Sequence, residues 1–329
     1  MNSRHLWRMQ LVNGAAEQLL ASADRSKAEG LGDYSPKPEV LTSSALQKFA
    51  TDVRACLRST QGFVVVEDFP VNHDAEITSR AYWHLGRALG EPVSQNSRGD
   101  LVGRVEQNHR SKNLRRRGYE SSGALGFHSD RADVVTLLCV RSALSGGLTR
   151  LCSVRKIHDI MLHENPELLD ELYRPLPVDL RGESFVGTAD FCQMPVFSMM
   201  QGRLVGRYNR RFLETAQRYP LAPRLTDRQL LAMNALDEVM ERPNVSLTAS
   251  LSPGEVLVMN SFEVFHARSS YIDADINGGR LLLRLWLSSQ DSPELPSSFK
   301  HIFGSTKAGT YRGGIWPGGQ LPVGFGRLL

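Results

Sequence analysis

The sequence predicts a mainly β fold with flanking helices, of the β-sandwich or jelly-roll kind. After residue 100, short β-leaning segments bounded by turn residues follow one another along the chain. The helical patterns come in blocks instead of alternating with strands, which argues against a parallel α/β sheet. Because no low-complexity linker divides the strands, a single domain is the simplest organisation.

The clearest helical pattern before residue 100 follows a Thr/Ser cap in "TSSALQKFATDVRACLRST". Its apolar side chains recur at helical spacing and form one face, made by Leu46, Phe49, Val53 and Leu57. The β-branched run "GFVVVEDFP", closed by a proline, predicts the strand that follows. Another helix is predicted from about Ala75 to Leu89, ending at Gly90.

Residues 1–40 are predicted to be an N-terminal extension of a domain that covers residues 41–329. The extension contains a helical pattern through "RHLWRMQLVNGAAEQLLASA", followed by polar sequence with glycine and proline. Helical insertions are predicted at about 154–173 and 208–242. The first breaks in two at Asn165 and Pro166, because proline suits the first turn of a helix but not its interior.

The strand-rich part of the chain consists of segments with strand-like composition between turn residues. They are "DLVGRVEQ", "VVTLLCVRSA", "LTRLCS", "MPVFSMMQGRLVGRY", "NVSLTASL", "GEVLVMNSFEVFHARS" and "RLLLRLWLSS". Many short strands with late helical insertions are typical of a sandwich or jelly roll that carries helices on its outside.

Composition excludes several classes of protein. Apolar residues make up 41% of the chain and charged residues 22%, as in an ordinary soluble globular protein. The modest net charge of +4, without interleaved aromatic residues, argues against a nucleic-acid partner. No stretch approaches 18 consecutive apolar residues, and no basic region precedes an apolar one at the N-terminus. We therefore expect a cytoplasmic protein without a membrane partner.

The four cysteines are widely spaced and form no Cys-x-x-Cys pair, which argues against a structural zinc site and a disulfide framework. Cys139 and Cys152 lie in apolar runs and are predicted to be buried thiols. The only concentration of positive charge is "HRSKNLRRRGY", which contains His109 and the arginines at 115–117. Such a run is usually a solvated loop, but here it is also a candidate loop that covers the site and meets an anionic group.

Three residues form a candidate metal site. The segment "GFHSDRADVV" contains His128 and Asp130, although a His-x-Asp pair is weak evidence in a chain with nine histidines. If both begin one strand, their side chains project from the same face and can reach one ion. His266, near the end of the strand in "SPGEVLVMNSFEVFHARSS", is the candidate third ligand. Two histidines and one carboxylate on one face are typical of non-haem Fe(II) oxygenases.

A 2-oxoglutarate co-substrate makes a further demand on the sequence. Its distal carboxylate needs a cation several ångströms from the iron, and arginine offers bidentate geometry. Downstream of His266, the apolar strand "NGGRLLLRLWLSS" contains Arg280 and Arg284. Because an unpaired buried charge is costly, arginines inside such a run indicate a buried anion.

The segments "LGFHSD", "LLCVRSALSGGLT", "SPGEVLVMNSFEVFHARS", "GRLLLRLWLS" and "YRGGIWP" together resemble the TauD/TfdA family of Fe(II)- and 2-oxoglutarate-dependent dioxygenases. The resemblance covers roughly Phe63 to Trp316. It implies a double-stranded β-helix core (jelly-roll, clavaminate synthase-like) with the iron near one open end.

The resemblance also implies roles for individual residues. His128, Asp130 and His266 match the iron ligands of the family. Arg284 matches the arginine that pairs with the C5 carboxylate of 2-oxoglutarate, and Thr149 in "SGGLTR" matches the threonine that hydrogen-bonds the same group.

Arg280 matches a second family arginine, whose contact is less uniform. The chain departs from the family pattern before the distal histidine, where it has "MNSFEVFHAR" in place of paired asparagines and a leucine. This departure leaves the ligand in place but changes the pocket beside it.

The implied reaction is hydroxylation of an unactivated C–H bond in a small polar or acidic metabolite or natural-product intermediate. 2-Oxoglutarate and O2 would be co-substrates, and succinate and CO2 would be products. Halogenases that resemble the family carry a small residue where this chain has Asp130, so a carboxylate there favours hydroxylation.

Desaturation and ring formation remain open as outcomes of the same oxidation. A different class is a non-catalytic jelly-roll protein that keeps iron for sensing or structure. Arg284 and Thr149 argue against that class, because it needs no site for a co-substrate carboxylate. The substrate and the oligomeric state do not follow from the sequence.

Overall fold

The computed structural model describes residues 7–29, 43–107, 118–187, 189–273 and 278–320. The helices are α1 Asn13–Ala28, α2 Ser44–Leu57, α3 Ala75–Leu89, α4 Val154–Glu164, α5 Pro166–Tyr173, α6 Arg210–Ala216, α7 Asp227–Glu241 and α8 Lys300–Phe303. The strands are β1 Arg8–Gln10, β2 Phe63–Glu67, β3 Glu91–Val93, β4 Val102–Val105, β5 Leu125–His128, β6 Val134–Arg141, β7 Ser145–Gly146, β8 Thr149–Ser153, β9 Leu176–Asp179, β10 Phe191–Met194, β11 Phe197–Met200, β12 Arg203–Gly206, β13 Leu247–Ala249, β14 Val256–Asn260, β15 Val264–Arg268, β16 Tyr271–Ile272 and β17 Leu281–Ser288.

Two sheets form the centre of the fold. The larger sheet has seven strands in the order β1-β2-β14-β6-β17-β3, and β4 also pairs with β17. The smaller sheet has four strands in the order β13-β8-β15-β5. Apart from the parallel pair β1–β2, the pairings in both sheets are antiparallel. This arrangement confirms the predicted mainly β fold with flanking helices and a jelly-roll core.

The alternation of side chains along the central strands separates two layers of core. On β2, Phe63 and Val65 face the interior between the sheets, whereas Val64 and Val66 face the helices. The inner layer also contains residues of the smaller sheet, such as Leu151. Because successive residues of a strand point to opposite faces, one apolar run supplies both layers.

Helices cover the outer faces of both sheets. The helices α1, α2 and α3 pack on the larger sheet through a cluster that includes Leu46, Phe49, Leu138 and Leu285. The helices α4, α5 and α7 lie with the smaller sheet in a second cluster, to which Phe265 contributes. The central strands β2, β14, β6 and β17 of the larger sheet are buried on both faces, which explains why they read as nearly continuous apolar runs.

Most element predictions are confirmed. The helix from Ala75 to Leu89 ends at Gly90 as predicted, and its N-cap is Asp74, whose carboxylate accepts a hydrogen bond from the Ile77 amide. The first insertion is divided at Asn165 into α4 and α5, with Pro166 opening α5. The second insertion contains α6 and α7.

The prediction for the N-terminal segment is wrong in part. Residues Arg8–Gln10 form a strand parallel to β2 in place of a helix, and the helix begins only at Asn13. Pairing with the free edge of β2 outweighs the local helical pattern, since it satisfies main-chain groups such as the Trp7 carbonyl. Residues 7–29 pack against the domain, for example through the buried Leu19; the boundary at residue 40 stays a prediction.

All four cysteines are free, and Cys139, Cys152 and Cys192 are buried, as expected for structural thiols. Among the described residues, none of the helices combines the length and apolar character that a membrane crossing requires.

Candidate active site

His128 and His266 lie side by side on two adjacent strands of the smaller sheet. His128 ends β5 and pairs in register with His266 in the middle of β15, which places the two ring centroids 4.2 Å apart. The Nδ1 atom of His128 lies 2.9 Å from the Gly126 carbonyl oxygen and donates a hydrogen bond to it, so Nε2 is the ring nitrogen that faces Asp130. Both imidazoles therefore present nitrogen atoms to the same point.

Asp130 does not share a strand with His128, contrary to the sequence prediction. β5 ends at His128, the chain bends through the next residues, and β6 begins only at Val134 in the other sheet. Asp130 thus lies where the chain passes from the smaller sheet to the larger one. Its Oδ1 is 3.9 Å from His128 Nε2, and its Oδ2 is 3.8 Å from His266 Nε2.

The environment keeps Asp130 and His266 in the protonation states that metal ligands need. Burial opposes ionisation of Asp130, but the charges of Arg284 and the two histidines, together with the Trp286 N–H, lower its pKa to about 2. Burial and the neighbouring His128 lower the pKa of His266 to about 3, against the attraction of Asp130. A neutral imidazole and an ionised carboxylate result.

The three side chains fit a divalent iron ion. One ligand atom from each of His128, Asp130 and His266 lies within 4.8 Å of the other two. Two imidazoles and one carboxylate are the ligand set preferred by non-haem Fe(II) and leave coordination positions open for other molecules. The indole Nε1 of Trp286 donates a hydrogen bond of 2.9 Å to Asp130 Oδ2, an outer contact that orients the carboxylate.

The segment after β12 holds the ligand-bearing bend in place. Arg207 Nη1 donates hydrogen bonds to the carbonyl oxygen of Ser129 and, at 2.7 Å, to its hydroxyl group. The Ser129 amide donates to the Tyr208 carbonyl oxygen, and His128 forms a bridge with Asn209. Because Ser129 stands between the candidate ligands His128 and Asp130, these contacts position both of them.

A cavity of about 400 Å³ opens on His128 and Asp130. Its walls come from β5, from the bend that follows, from the segment between β12 and α6, and from β17. Six arginines line it: Arg131, Arg181, Arg207, Arg210, Arg211 and Arg284. The cavity is large enough for a small metabolite, and its lining is strongly cationic.

Arg284 lies beside the carboxylate ligand. Its Nη1 is 3.7 Å from Asp130 Oδ2, and its Nε donates a hydrogen bond of 2.6 Å to Gln95 Oε1. The guanidinium carbon lies 4.7 Å from the centroid of the Trp286 ring. These contacts place Arg284 on the wall that the cavity shares with the metal site.

Arg280 belongs to a different cluster, with Arg268 and Tyr271. Arg280 is 5% exposed, and its Nη1 has no hydrogen-bond partner among the described residues. The Nε and Nη1 atoms of Arg268 and the hydroxyl group of Tyr271 are buried and unpartnered in the same sense. Arg268 pairs in register with Thr149, and Arg280 Nε would lie only 2.9 Å from a Cβ at Gly147.

These buried donors are consistent with a site for an anion. Burial, followed by the charge of Arg280, lowers the pKa of Arg268 to about 10, and burial also lowers the pKa of Arg280. A carboxylate between the two guanidinium groups would satisfy the donors and offset the charges. Sequence reasoning missed Arg268, although its position two residues after His266 on one strand was a usable signal.

Other predictions concern residues away from this centre. Asp133 lies in a buried ion pair, since its carboxylate accepts a hydrogen bond of 2.8 Å from the fully buried Arg312. The basic stretch with His109 and the arginines at 115–117 lies outside the described residues. Sequence reasoning also missed Arg207, because an arginine at the end of a hairpin carries no distinguishing pattern.

With this geometry in view, comparison with known proteins identifies the class. The family described as "Taurine catabolism dioxygenase TauD, TfdA family" matches residues 36–286, and the chain belongs to it. It is therefore an enzyme of the dioxygenase class, as the sequence predicted. The Fe(II) and 2-oxoglutarate that the resemblance implied agree with two solved structures similar to this one, which contain Fe with succinate or with alpha-ketoglutaric acid.

Individual relatives agree with this placement. "FR-33289 synthase" from Streptomyces rubellomurinus (strain ATCC 31215) is 26% identical over 311 residues, which cover 92% of this chain and 91% of the relative. The structure of asparagine oxygenase with Fe(II), 2S,3S-3-hydroxyasparagine and succinate has a TM-score of 0.67 at 17% identity, covering 85% of this chain and 93% of that one. The non-heme iron oxygenase OrfP, with Fe and alpha-ketoglutaric acid, has a TM-score of 0.62 at 16% identity, covering 85% and 94%. At these identities the solved structures show a common fold.

Proposed function

We propose that this chain uses Fe(II), 2-oxoglutarate and O2 to hydroxylate a C–H bond of a small polar or acidic metabolite, with release of succinate and CO2. The observation that carries the proposal is the convergence of His128, Asp130 and His266 beside a cavity of about 400 Å³, which His128 and Asp130 line. The hydroxylated amino acids in the asparagine oxygenase and OrfP structures support a substrate of small size.

The chemistry and the protein have separate tasks. When bound, Fe(II) with 2-oxoglutarate and O2 supplies an oxidant capable of reacting with an unactivated C–H bond. His128, Asp130 and His266 hold the ion, and Trp286 fixes the carboxylate of Asp130 through its N–H. The cavity holds the substrate near the ion, and this positioning decides which C–H bond reacts.

For 2-oxoglutarate, the contacts favour Arg280 over Arg284 as the partner of the distal carboxylate. Arg280 and Arg268 have unpartnered buried donors in the neighbourhood of Thr149, whereas Arg284 is already engaged with Asp130 and Gln95. We therefore assign Arg280, Arg268 and Thr149 to the co-substrate and Arg284 to the wall of the substrate cavity. The family resemblance implied the opposite order, with Arg284 as the partner of the C5 carboxylate and Arg280 as the second arginine.

The decisive experiment measures succinate formation by the Fe(II)-loaded enzyme with 2-oxoglutarate and O2, across a panel of amino acids and small organic acids. We expect turnover by the wild type and none by His128→Ala. His163→Ala, which changes an exposed histidine on α4, is the matched control and should behave as the wild type. Equal behaviour of the wild type and His128→Ala, with no turnover on any member of the panel, would overturn the proposal.

A further inference from the structure

The substrate cavity has more positive than negative charge on its walls. Its six arginines face three carboxylates, those of Asp130, Glu183 and Glu214. Asp130 belongs to the metal site, so only two acidic groups remain to offset the arginines. A cavity of this kind concentrates anions and repels cations.

The lining arginines differ in how their charge is balanced. Arg210 pairs with Glu214 at 2.8 Å and with Asp237 at 2.8 Å. Arg131 lies 3.4 Å from the carboxylate of Glu183. The charges of these arginines are therefore at least partly offset within the protein.

Arg207 is different. It is 6% exposed and lines the cavity, and among the described residues its guanidinium group donates hydrogen bonds only to the neutral carbonyl and hydroxyl oxygens of Ser129. Its Nε atom is buried and has no partner among the described residues. Burial and the neighbouring charge of Arg131 lower the pKa of Arg207 to about 10, against the attraction of Asp130, with which Arg207 forms no ion pair. A buried cation that forms no ion pair within the protein is unfavourable unless an anion binds beside it.

We propose that Arg207, supported by Arg131, binds an anionic group of the substrate, which makes the substrate a small organic acid. This inference rests on the proposed function, because it assumes that the cavity beside the iron ligands receives the substrate. Arg207 also bonds Ser129, which stands between His128 and Asp130. An acid group held by Arg207 therefore keeps the remainder of the molecule beside the metal site, where a C–H bond is within reach.

The test uses the Fe(II)- and 2-oxoglutarate-loaded protein without O2 and measures binding of methylphosphonate, methanesulfonate and acetate by calorimetry. Dimethyl methylphosphonate is the neutral probe. The variants are Arg207→Met, which removes the charge at similar length, and Arg207→Lys, which keeps it. Arg203→Met, on β12 and paired with Glu263 outside the cavity, is the matched control.

We expect the wild type to bind at least one anion in preference to the neutral ester. Arg207→Met should raise its Kd by about tenfold or more, Arg207→Lys by less than about threefold, and Arg203→Met should leave it unchanged. Anion binding that is absent in the wild type, or equal in wild type and Arg207→Met, overturns the inference.

The metal site is followed separately through the visible charge-transfer band of Fe(II) with 2-oxoglutarate. Loss of that band in Arg207→Met means that the bend between His128 and Asp130 is disturbed, and the test then depends on Arg207→Lys. If Arg207→Lys keeps the band, an anion Kd within about threefold of the wild-type value supports the inference, and an increase in that Kd above about tenfold contradicts it. If the wild type itself has no charge-transfer band and forms no succinate, the proposed function fails, whatever the result of the anion-binding measurements.

Discussion

His128 and His266 are paired residues of two antiparallel strands, and their imidazole rings lie 4.2 Å apart. Neighbouring strands in a sheet are separated by roughly 4.8 Å, so a register pair places two side chains at the spacing that one metal ion needs. The third ligand comes from the bend after the first strand, and it reaches back to both histidines. The geometry of the proposed metal site thus depends on strand register.

The two arginines of β17 should affect the co-substrate unequally. We expect Arg280→Gln to raise the KM for 2-oxoglutarate by roughly 10- to 100-fold, because it removes a charged donor from a buried anion site. Arg284→Gln should change this KM by less than about threefold while lowering kcat, since Arg284 contacts the Asp130 ligand. Steady-state kinetics with varied 2-oxoglutarate measures both. The reverse pattern would restore the assignment that the family resemblance implied.

The indole of Trp286 should influence iron affinity without being a ligand. Trp286→Phe keeps the ring but removes the N–H that bonds Asp130, so we expect Fe(II) to bind about tenfold more weakly. Trp316→Phe is the matched control, because its N–H bonds the backbone carbonyl of Gly313. Anaerobic Fe(II) titration compares the two variants. An equal effect, or none, would mean that this hydrogen bond does not tune the site.

Acid should destabilise the fold through His84, which links α3 to Ser26 of α1. Burial, followed by the charges of Arg80, Arg87 and Arg25, lowers the pKa of His84 to about 4, although a hydrogen bond with the Ser22 backbone opposes the shift. The folded state therefore resists a proton that the unfolded chain binds near pH 6.5. The resulting stability is present above pH 6.5 and is lost as the pH falls towards 4.

We expect this group to lower the free energy of unfolding by roughly 2 kcal/mol between pH 7.5 and pH 5. His84→Gln cannot titrate and should lose that part of the decrease, whereas His163→Gln, on the exposed face of α4, should keep it. Urea unfolding at the two pH values measures the difference. The same pH dependence in His84→Gln and the wild type would show that another group is responsible.

The larger sheet should depend on Leu138 in its central strand. Leu138 is fully buried between α1–α3 and the sheet, so Leu138→Ala should lower the free energy of unfolding by about 3 kcal/mol. Leu221→Ala makes the same chemical change at a side chain that is 88% exposed and should cost less than about 0.5 kcal/mol. Chemical denaturation of both variants tests the contrast; similar losses would contradict the core assigned here.

Local patterns were sufficient for much of the architecture. The bounds of α3 follow from an apolar periodicity between an aspartate cap and a glycine, and the break between α4 and α5 follows from one proline. The N-terminal strand was not predictable in this way, because its partner β2 lies more than fifty residues further along the chain. Pairing with a distant edge overrode a helical pattern that was otherwise adequate.

The sequence by itself determined the mainly β fold and the class of enzyme, and it named the three candidate metal-ligand side chains that the structure brings together. These depend on residue types and spacings that stay readable along the chain. Only the tertiary structure decided that Asp130 lies in a bend between two sheets and that Arg280 joins Arg268 while Arg284 faces Asp130. It also decided that Arg207 lines the cavity and forms no ion pair with any described residue. Such neighbours are set by strand register and by the path of the chain between sheets, and both arise from long-range packing that no local period of the sequence records.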